Sequence, residues 1–148
     1  MAKNYYEPMH TAEHILNQVM LSGYTGERSF TTHIERKKSK VDYKFHRNLN
    51  AEEIKTIEKK VNTVIDQKLT VSEKLLDIAE AAEIFDLSRL PENSGDKIRI
   101  IEIGDFVSCP CIGQHVSNTS EIGEFKIIST DFDGNKLRIR FKLLNNNE

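Results

Sequence analysis

Two short pairs of residues near opposite ends of the chain are of the types that bind zinc. The first pair is His10 and His14, and the second is Cys111 and His115. Thiolate sulfur and imidazole nitrogen are the ligands that zinc prefers. On a helix, a spacing of four residues places both imidazoles of the first pair on one face, one turn apart. The two pairs supply four ligands of suitable type, and we predict that the fold brings them together.

Cys109 leaves the choice of the sulfur ligand open. It could replace Cys111 as a ligand, or it could lie behind the ligands and contact one of them. The two remaining histidines, His33 and His46, lie in a basic segment and are more typical of surface residues than of ligands. The alternative for the whole set is that it consists of ordinary surface and core side chains without a metal.

The histidine pair does not form a protease motif. In HTAEH the glutamate directly precedes the second histidine, whereas in HExxH it directly follows the first. The general base of a thermolysin-like protease would therefore be misplaced, and that class is disfavoured.

A helix is predicted to carry the first pair. Pro8 suits a first helical turn, and we expect the helix to run to about Ser22 with Gly23 as its stop signal. The two histidines fall off its apolar stripe, where they could line a cleft. The stripe consists of Ala12, Ile15, Leu16, Val19 and Met20.

The middle of the chain predicts strands followed by helices. Residues 28–47 favour two strands joined near Lys37–Ser39. Asn50 with Glu53 three residues later is a capping-box pattern, and it opens a helix with an apolar face. Leu69–Val71 is predicted as a short strand. A second helix is predicted from a cap at Ser72 through about Glu83, with Leu75, Leu76 and Ala79 on its buried side.

The last third of the chain predicts β structure. Lys97–Ile103 has isoleucines on both faces, which indicates a central strand. Glu124–Thr130 and Lys136–Leu143 are two further strands, and Asp133-Gly134 between them indicates a hairpin turn. Residues 91–96, PENSGD, are predicted to form a loop.

Composition indicates a globular protein. The 148 residues are 38% hydrophobic and 30% charged, which suits one domain with a sizeable core. We find no apolar run long enough to span a membrane and no signal-peptide pattern near residue 1, and we therefore expect a cytoplasmic protein. The two cysteines are too close in sequence for a useful disulfide, which favours a metal-binding or catalytic role.

Charge is distributed unevenly although the net charge is only −2. Residues 28–47 carry seven Lys/Arg and two acidic residues, whereas residues 51–86 carry nine acidic residues and five lysines. This asymmetry could orient the protein toward a polyanion, or both runs could simply be solvated faces. The last strand has the same ambiguity, because its outward cations could bind phosphates or merely protect a sheet edge. These cations are Lys136, Arg138, Arg140 and Lys142.

The segments HTAEHIL and, far downstream, CIGQHVSNTSEIGEFKI carry a family resemblance. They resemble the editing domain of alanyl-tRNA synthetases, the free-standing AlaX proteins and the second additional domain of threonyl-tRNA synthetases. SFTTHIERKKSKVDYKF and LNAEEIKTIEKKVN fall in the expected order, so the resemblance covers most of the chain. It implies an α+β fold: one domain over residues 1–148, with a predominantly antiparallel sheet flanked by helices.

The resemblance also implies an activity, a cofactor and a partner. The activity is hydrolysis of the ester bond in mischarged tRNA. The four family motif positions fall on His10, His14, Cys111 and His115, which would bind Zn²⁺ and carry catalysis. Either three of them bind the metal while the fourth handles protons, or all four bind and the metal only orders the pocket. In the threonyl branch the same residue types work without obligatory metal, so hydrolysis without a metal also stays open.

Other positions are assigned to the substrate. Thr11 falls where the family threonine contacts the amino-acid side chain; the alternative is a simple helix-surface threonine. Arg36, Lys37 and Lys38 are candidates for the tRNA backbone, together with the cations of the last strand. The family motif CGGTH is CIGQH here, so Ile112 and Gln114 replace Gly and Thr, and we expect a bulkier or differently polar pocket floor.

The leading hypothesis is a free-standing deacylase that acts in trans on Ser-, Gly- or related aminoacyl-tRNA. Within these 148 residues we find neither the Gly-rich β-domain of many AlaX proteins nor an aminoacylation core. Two rivals are a small-ester metallohydrolase that ignores RNA and a non-catalytic tRNA-binding module in which zinc is structural.

Overall fold

The structure is a computed structural model that describes residues 6–85, 96–111 and 113–144. In these ranges the chain forms two antiparallel sheets with helices packed against them. This arrangement confirms the predicted α+β class with mostly antiparallel strands. In chain order the elements are α1 (Glu7–Met20), β1 (Thr31–His33), β2 (Ser39–Lys44), α2 (Ala51–Asp66), β3 (Val71–Asp77), α3 (Ile78–Ile84), β4 (Lys97–Ile103), β5 (Val107–Pro110), β6 (Glu124–Asp133) and β7 (Lys136–Leu144).

The larger sheet has the strand order β1-β2-β7-β6 and forms one wall of the main core. Alternate side chains of β7 point into that core, where Leu137, Ile139 and Phe141 are fully buried. The predicted β6–β7 hairpin is confirmed. Its two turn residues are Gly134 and Asn135, at φ values of 53° and 69°, one position later than the sequence indicated.

Helix α1 is buried around most of its circumference. Both of its histidines, which were expected to line a cleft, are less than 9% exposed, and His14 borders a cavity. The stop predicted at Gly23 is wrong, because the chain continues through a π-helical turn at Leu21–Thr25. It ends at Gly26, whose φ of +69° is the left-handed conformation that terminates helices.

Helix α2 begins as its capping pattern predicts. The Glu53 amide donates to Asn50 Oδ1 at 2.8 Å, and the Asn50 amide donates to Glu53 Oε1 at 3.0 Å. The apolar face of this helix closes the core against α1 and β6. The buried residues on that face are Ile57, Val61, Val64 and Ile65.

The smaller sheet, with the order β3-β4-β5, corrects one prediction and confirms another. The helix predicted from Ser72 through Glu83 is wrong: Val71–Asp77 is a strand, and only Ile78–Ile84 is helical. β4 is the central strand, as predicted, and pairing with β3 satisfies one of its two edges. That pairing outweighs the helical pattern and leaves Leu75 65% exposed.

Hydrogen bonds tie the segment after β5 to the chain just before β3. Thr70 forms an isolated bridge with Asn118, and β3 proper starts only at Val71, so most of the strand predicted at Leu69–Val71 is not a strand. The Thr119 hydroxyl accepts from the Leu69 amide and donates to the Ile65 carbonyl, both at 2.9 Å. These hydrogen bonds fix the path of residues 113–119.

Two further expectations concern the loop before β4 and membrane-spanning segments. The loop predicted at residues 91–96 lies outside the described residues except for Asp96. Among the helices of the described ranges, none is both long and apolar enough to cross a bilayer.

Candidate metal centre

The structure brings the two predicted ligand pairs together. One ligand atom from each of His10, His14, Cys111 and His115 lies within 4.8 Å of the others. The ring centroids of His10 and His115 are 4.2 Å apart, and that of His14 lies 5.0 Å from the former and 4.8 Å from the latter. Such a group of imidazoles and a thiol can hold a zinc-sized ion.

The hydrogen bonds of two histidines direct one ring nitrogen into the group. His10 Nδ1 donates to the Gln114 carbonyl at 3.0 Å, and its Nε2 lies 3.5 Å from Cys111 Sγ. His115 Nδ1 is 2.9 Å from Thr11 Oγ1. In the described part of the chain, Nε2 of His115 and Nε2 of His14 are buried without a hydrogen-bond partner. Buried nitrogens of this kind fit metal coordination, because each otherwise lacks a hydrogen-bond partner; the Glu13 carboxylate lies 3.9 Å from Nε2 of His14, beyond hydrogen-bond distance.

Thr11 supports His115 in this structure. Its hydroxyl donates to the Glu7 carbonyl at 3.1 Å and accepts from the Val116 amide at 3.2 Å. Its side chain has no exposed surface. With the hydroxyl proton used on Glu7, the bond to His115 runs from Nδ1–H to Oγ1, which leaves Nε2 unprotonated. Thr11 therefore has no exposed surface with which to make the substrate contact that the resemblance implied.

Arg99 and Gly113 belong to the centre, although the sequence analysis assigned a role to neither of them. Arg99 Nη1 donates to the carbonyls of Cys111 and Gly113 at 3.1 and 2.6 Å, and thereby fixes the ligand loop. A Cβ at Gly113 would lie 2.3 Å from His10 Cε1, so only glycine leaves room for that ring. An arginine between isoleucines in the strand KIRIIEI was the available signal for Arg99.

The other residues of CIGQH and its neighbours lie outside the four-ligand group. Cys109 Sγ is 3.2 Å from His14 Nδ1, on the opposite edge of that ring from Nε2. The Gln114 side chain is exposed, and its contribution to the group is the backbone carbonyl. Ile112, the second departure from the family motif, lies outside the described residues.

Burial keeps the histidines of the group neutral. It lowers the pKa of His10, holds that of His14 well below the ordinary value and lowers the pKa of His115 to about 3. Burial also raises the pKa of Cys111, so at neutral pH the thiol is protonated. Three of the four ligands are therefore ready to bind a metal, and only the thiol must release a proton.

A small cavity of about 230 Å³ opens beside His14. It is lined by residues of α1, the end of α3 and β5, and the half-buried Arg28 guanidinium borders it. Arg28 Nη2 lies 3.4 Å from His14 Nδ1, next to Cys109.

The predicted tRNA contacts are surface features. Arg36, Lys37 and Lys38 are exposed, with the Arg36 guanidinium 4.4 Å from the Tyr6 ring centroid. The cations of β7 are partly neutralised, since Arg138 pairs with Asp42 at 2.7 Å and Arg140 pairs with Asp131. His33 and His46 are exposed and lie outside the ligand group, as expected of surface histidines.

Comparison with known proteins relates the chain to tRNA synthetases. The family described as Threonyl and Alanyl tRNA synthetase second additional domain matches residues 98–139, which include Cys111 and His115. The alanine–tRNA ligase of Bacillus subtilis (strain 168) is 35% identical over 127 residues, covering 81% of this chain and 14% of the ligase. That of Lactococcus lactis subsp. lactis (strain IL1403) is 33% identical over 138 residues, covering 87% and 15%.

A plant relative agrees with the bacterial ones. The chloroplastic/mitochondrial alanine–tRNA ligase of Oryza sativa subsp. japonica is 33% identical over 121 residues, covering 81% of this chain and 12% of the ligase. The chain therefore spans only a small part of the length of these relatives. The resemblance stated from the sequence motifs is confirmed.

Proposed function

We propose that this chain, which is homologous to part of the alanine–tRNA ligases and matches the threonyl and alanyl tRNA synthetase second additional domain, hydrolyses the ester bond of mischarged aminoacyl-tRNA. The observation that supports this activity is the group of three imidazoles and one thiol within 4.8 Å. Ester hydrolysis needs an activated water and a group that polarises the carbonyl. The ligand group offers both.

The residues of the group fit Zn²⁺. His14 and His115 each hold a buried Nε2 without a hydrogen-bond partner, and Cys111 Sγ lies beside His10 Nε2. When bound there, zinc would polarise the ester carbonyl or lower the pKa of a water molecule. Cys111 and His115 are only half-buried, whereas the two α1 histidines are buried. The ester would therefore approach from the side of residues 111–115.

Proton transfer is assigned to a histidine of the group. A neutral imidazole can accept a proton from the attacking water and return it to the leaving ribose hydroxyl. His115 is neutral at physiological pH because burial lowers its pKa to about 3, and its Nδ1–H is held by Thr11. So low a pKa makes the imidazole a weak base, and the metal would have to lower the pKa of the attacking water before His115 could take its proton. If three residues bind the metal, His115 suits the role of the fourth, because it is the most accessible of the three histidines.

The proposed substrate is a tRNA carrying serine, glycine or a related small amino acid. Exposed Arg36, Lys37 and Lys38 would contact phosphates, which gives salt-dependent binding without sequence readout. Gln114, exposed beside a ligand, would take part in forming the amino-acid pocket. We also propose that the protein acts in the cytoplasm, where such substrates are made.

Deacylation of defined substrates tests the proposal. Ser-, Gly- and Ala-tRNA on the alanine acceptor, and Ser-tRNA on the threonine acceptor, would be incubated with purified protein and with its Cys111→Ala variant. We expect turnover of at least one mischarged tRNA, lost in the variant. No deacylation of any of these above background would refute the activity, and turnover of a small-ester panel that ignores tRNA and salt would indicate a small-ester hydrolase.

A second candidate is a tRNA-binding module with a structural zinc. It is favoured by the presence of four protein ligands in one group, because closed four-ligand sites are typical of structural zinc. This candidate predicts tRNA binding without turnover and loss of folding when a chelator removes the metal. Retained folding after metal removal would exclude it.

A further inference from the structure

The two ring nitrogens of His14 lie in different surroundings. Nε2 is buried, and no hydrogen-bond partner for it exists in the ranges that the structure describes. Nδ1 lies 3.2 Å from Cys109 Sγ and 3.4 Å from Arg28 Nη2. A neutral imidazole carries one proton, so the group that faces Nδ1 decides whether Nε2 has a free lone pair.

Of the two neighbours of Nδ1, only the sulfur can accept a proton. A guanidinium donates and never accepts, whereas a cysteine sulfur can do either. If Arg28 donated to Nδ1, the His14 proton would reside on Nε2, a buried N–H without an acceptor at hydrogen-bond distance, since the carboxylate oxygen Oε1 of Glu13 lies 3.9 Å from it. Leaving such a donor unsatisfied is costly, and the opposite arrangement avoids the cost.

The other two histidines of the group both carry their proton on Nδ1. Each has Nδ1 held by an acceptor, the Gln114 carbonyl for His10 and the Thr11 hydroxyl for His115. For His14, the sulfur of Cys109 takes the place of these oxygen acceptors. Cys109 is 6% exposed on β5, where pairing with Ile101 of β4 fixes its backbone.

We propose that Cys109 is a positioning residue, whose sulfur accepts a hydrogen bond from Nδ1–H of His14 and so fixes the tautomer in which Nε2 can bind a metal. The effect on metal affinity rests on the proposed zinc site, whereas the tautomer is a property of the metal-free chain. This assignment gives the second cysteine a role other than that of a ligand.

The tautomer of His14 can be read from ¹⁵N chemical shifts in long-range ¹H–¹⁵N spectra of the metal-free protein near pH 7.5. We expect the Nδ1–H form in the parent chain and a shift toward the Nε2–H form in Cys109→Ala. Zinc affinity, measured by competition with a chelating dye, should fall about tenfold to a hundredfold, as for other partners behind metal ligands. Ser108→Ala, an exposed change on the same strand, is the matched control and should alter neither quantity.

Cys109→Ser separates the hydrogen bond from the packing. Its hydroxyl can still accept from Nδ1–H, so this variant should keep the parent tautomer and bind zinc more tightly than Cys109→Ala. If Cys109→Ala fails to fold, the tautomer of His14 in the parent chain decides the matter. An Nε2–H form of His14 in the parent chain would overturn the inference, as would an unchanged tautomer in Cys109→Ala. Absence of deacylation with the expected tautomers would refute the proposed function alone.

Discussion

The ligand group and the basic segment Arg36–Lys38 both stand out in the sequence, but the fold treats them in opposite ways. The histidines of the group are held by hydrogen bonds with residues about a hundred positions away, such as the one that His10 donates to the Gln114 carbonyl. The three cations are exposed, and none of them forms an ion pair with a described residue. The first region is built by tertiary contacts, whereas the second is set mainly by the local sequence, apart from the contact of Arg36 with the Tyr6 ring.

This contrast shows where substitutions should matter. A buried polar group that loses its partner carries the full cost of its desolvation, whereas an exposed charge stays solvated. Changes in the ligand group should therefore alter metal binding, folding and activity together. Changes in the basic segment should alter only encounters with a polyanion.

The largest effect is expected from the α1 histidines. His10→Ala and His14→Ala should each reduce zinc affinity by more than about a hundredfold, which exceeds the usual cost of losing a partner behind a ligand. The double variant should be little worse than either single variant, because the two act as one unit. Zinc content and deacylation would be measured for all three. Modest, additive losses of zinc and of activity would indicate that the two histidines are not metal ligands.

Gly113→Ala tests how closely the loop approaches His10. The added Cβ would meet the imidazole at 2.3 Å, so the ring or the loop must move, at a cost of about 1–3 kcal/mol in the free energy of unfolding. Zinc affinity should fall as well, because His10 is displaced. Gly23→Ala is the matched control, since no atom lies within 4 Å of its added Cβ. Equal effects of the two changes on denaturant unfolding and zinc binding would contradict the close approach.

Thr11→Val removes a hydroxyl that serves both His115 and the Val116 amide. An amide left unsatisfied in the interior costs about 1–3 kcal/mol of unfolding free energy. Without its acceptor, His115 should also lose its preferred tautomer, and zinc affinity should fall about tenfold to a hundredfold. Thr11→Ser keeps the hydroxyl and should stay near the parent in both measurements. A Ser variant as damaged as the Val variant would assign the effect to packing.

The pH dependence separates folding from metal binding. In the folded chain, the pKa values of His14 and His115 lie below the value near 6.5 that each has in the unfolded chain. At a pH between the folded and the unfolded pKa, the unfolded chain therefore binds more protons. Stability of the metal-free protein is therefore fully present above pH 6.5 and falls as the pH drops toward 3, by about 1.4 kcal/mol per pH unit for each such histidine. Urea unfolding at several pH values measures this slope, and a flat profile between pH 6.5 and 4 would show that the histidines are accessible to protons.

Zinc binding should follow the thiol instead. Because burial raises the pKa of Cys111 and keeps the histidines neutral, binding near pH 7 should release one proton, from the thiol. Affinity should then rise about tenfold per pH unit through neutrality. Calorimetry in buffers of different ionisation enthalpy counts the protons. Release of none, or of two or more, would contradict the assignment.

The smallest effect on the folded protein is expected from the basic segment. Reversal of Arg36, Lys37 and Lys38 to glutamate should change the free energy of unfolding by no more than about 0.5 kcal/mol, as for most surface changes. Binding to tRNA should weaken, and the slope of affinity against salt should fall by about 0.7–0.9 for each phosphate that the variant no longer neutralises. A large fall in melting temperature with tRNA binding intact would assign the segment a structural role.

The sequence by itself determined the ligand types, their pairing and most of the larger sheet. Spacing within HTAEH and CIGQH is local, and so is the Asn50 capping box, which the structure shows as predicted. The strong alternation along β7 likewise sets which of its residues face the core. In each case neighbouring residues specify the outcome, so no knowledge of distant contacts was needed.

The tertiary structure decided what depends on distant partners. Residues 71–77 carry a helical pattern, but an edge of β4 was available for pairing, and the segment became a strand. The same is true of the supporting residues: Arg99 reaches the ligand loop, Thr11 holds His115 and Cys109 faces His14, all through tertiary contacts. The orientation of a ring nitrogen depends on the acceptor opposite it, and only folding determines which acceptor that is.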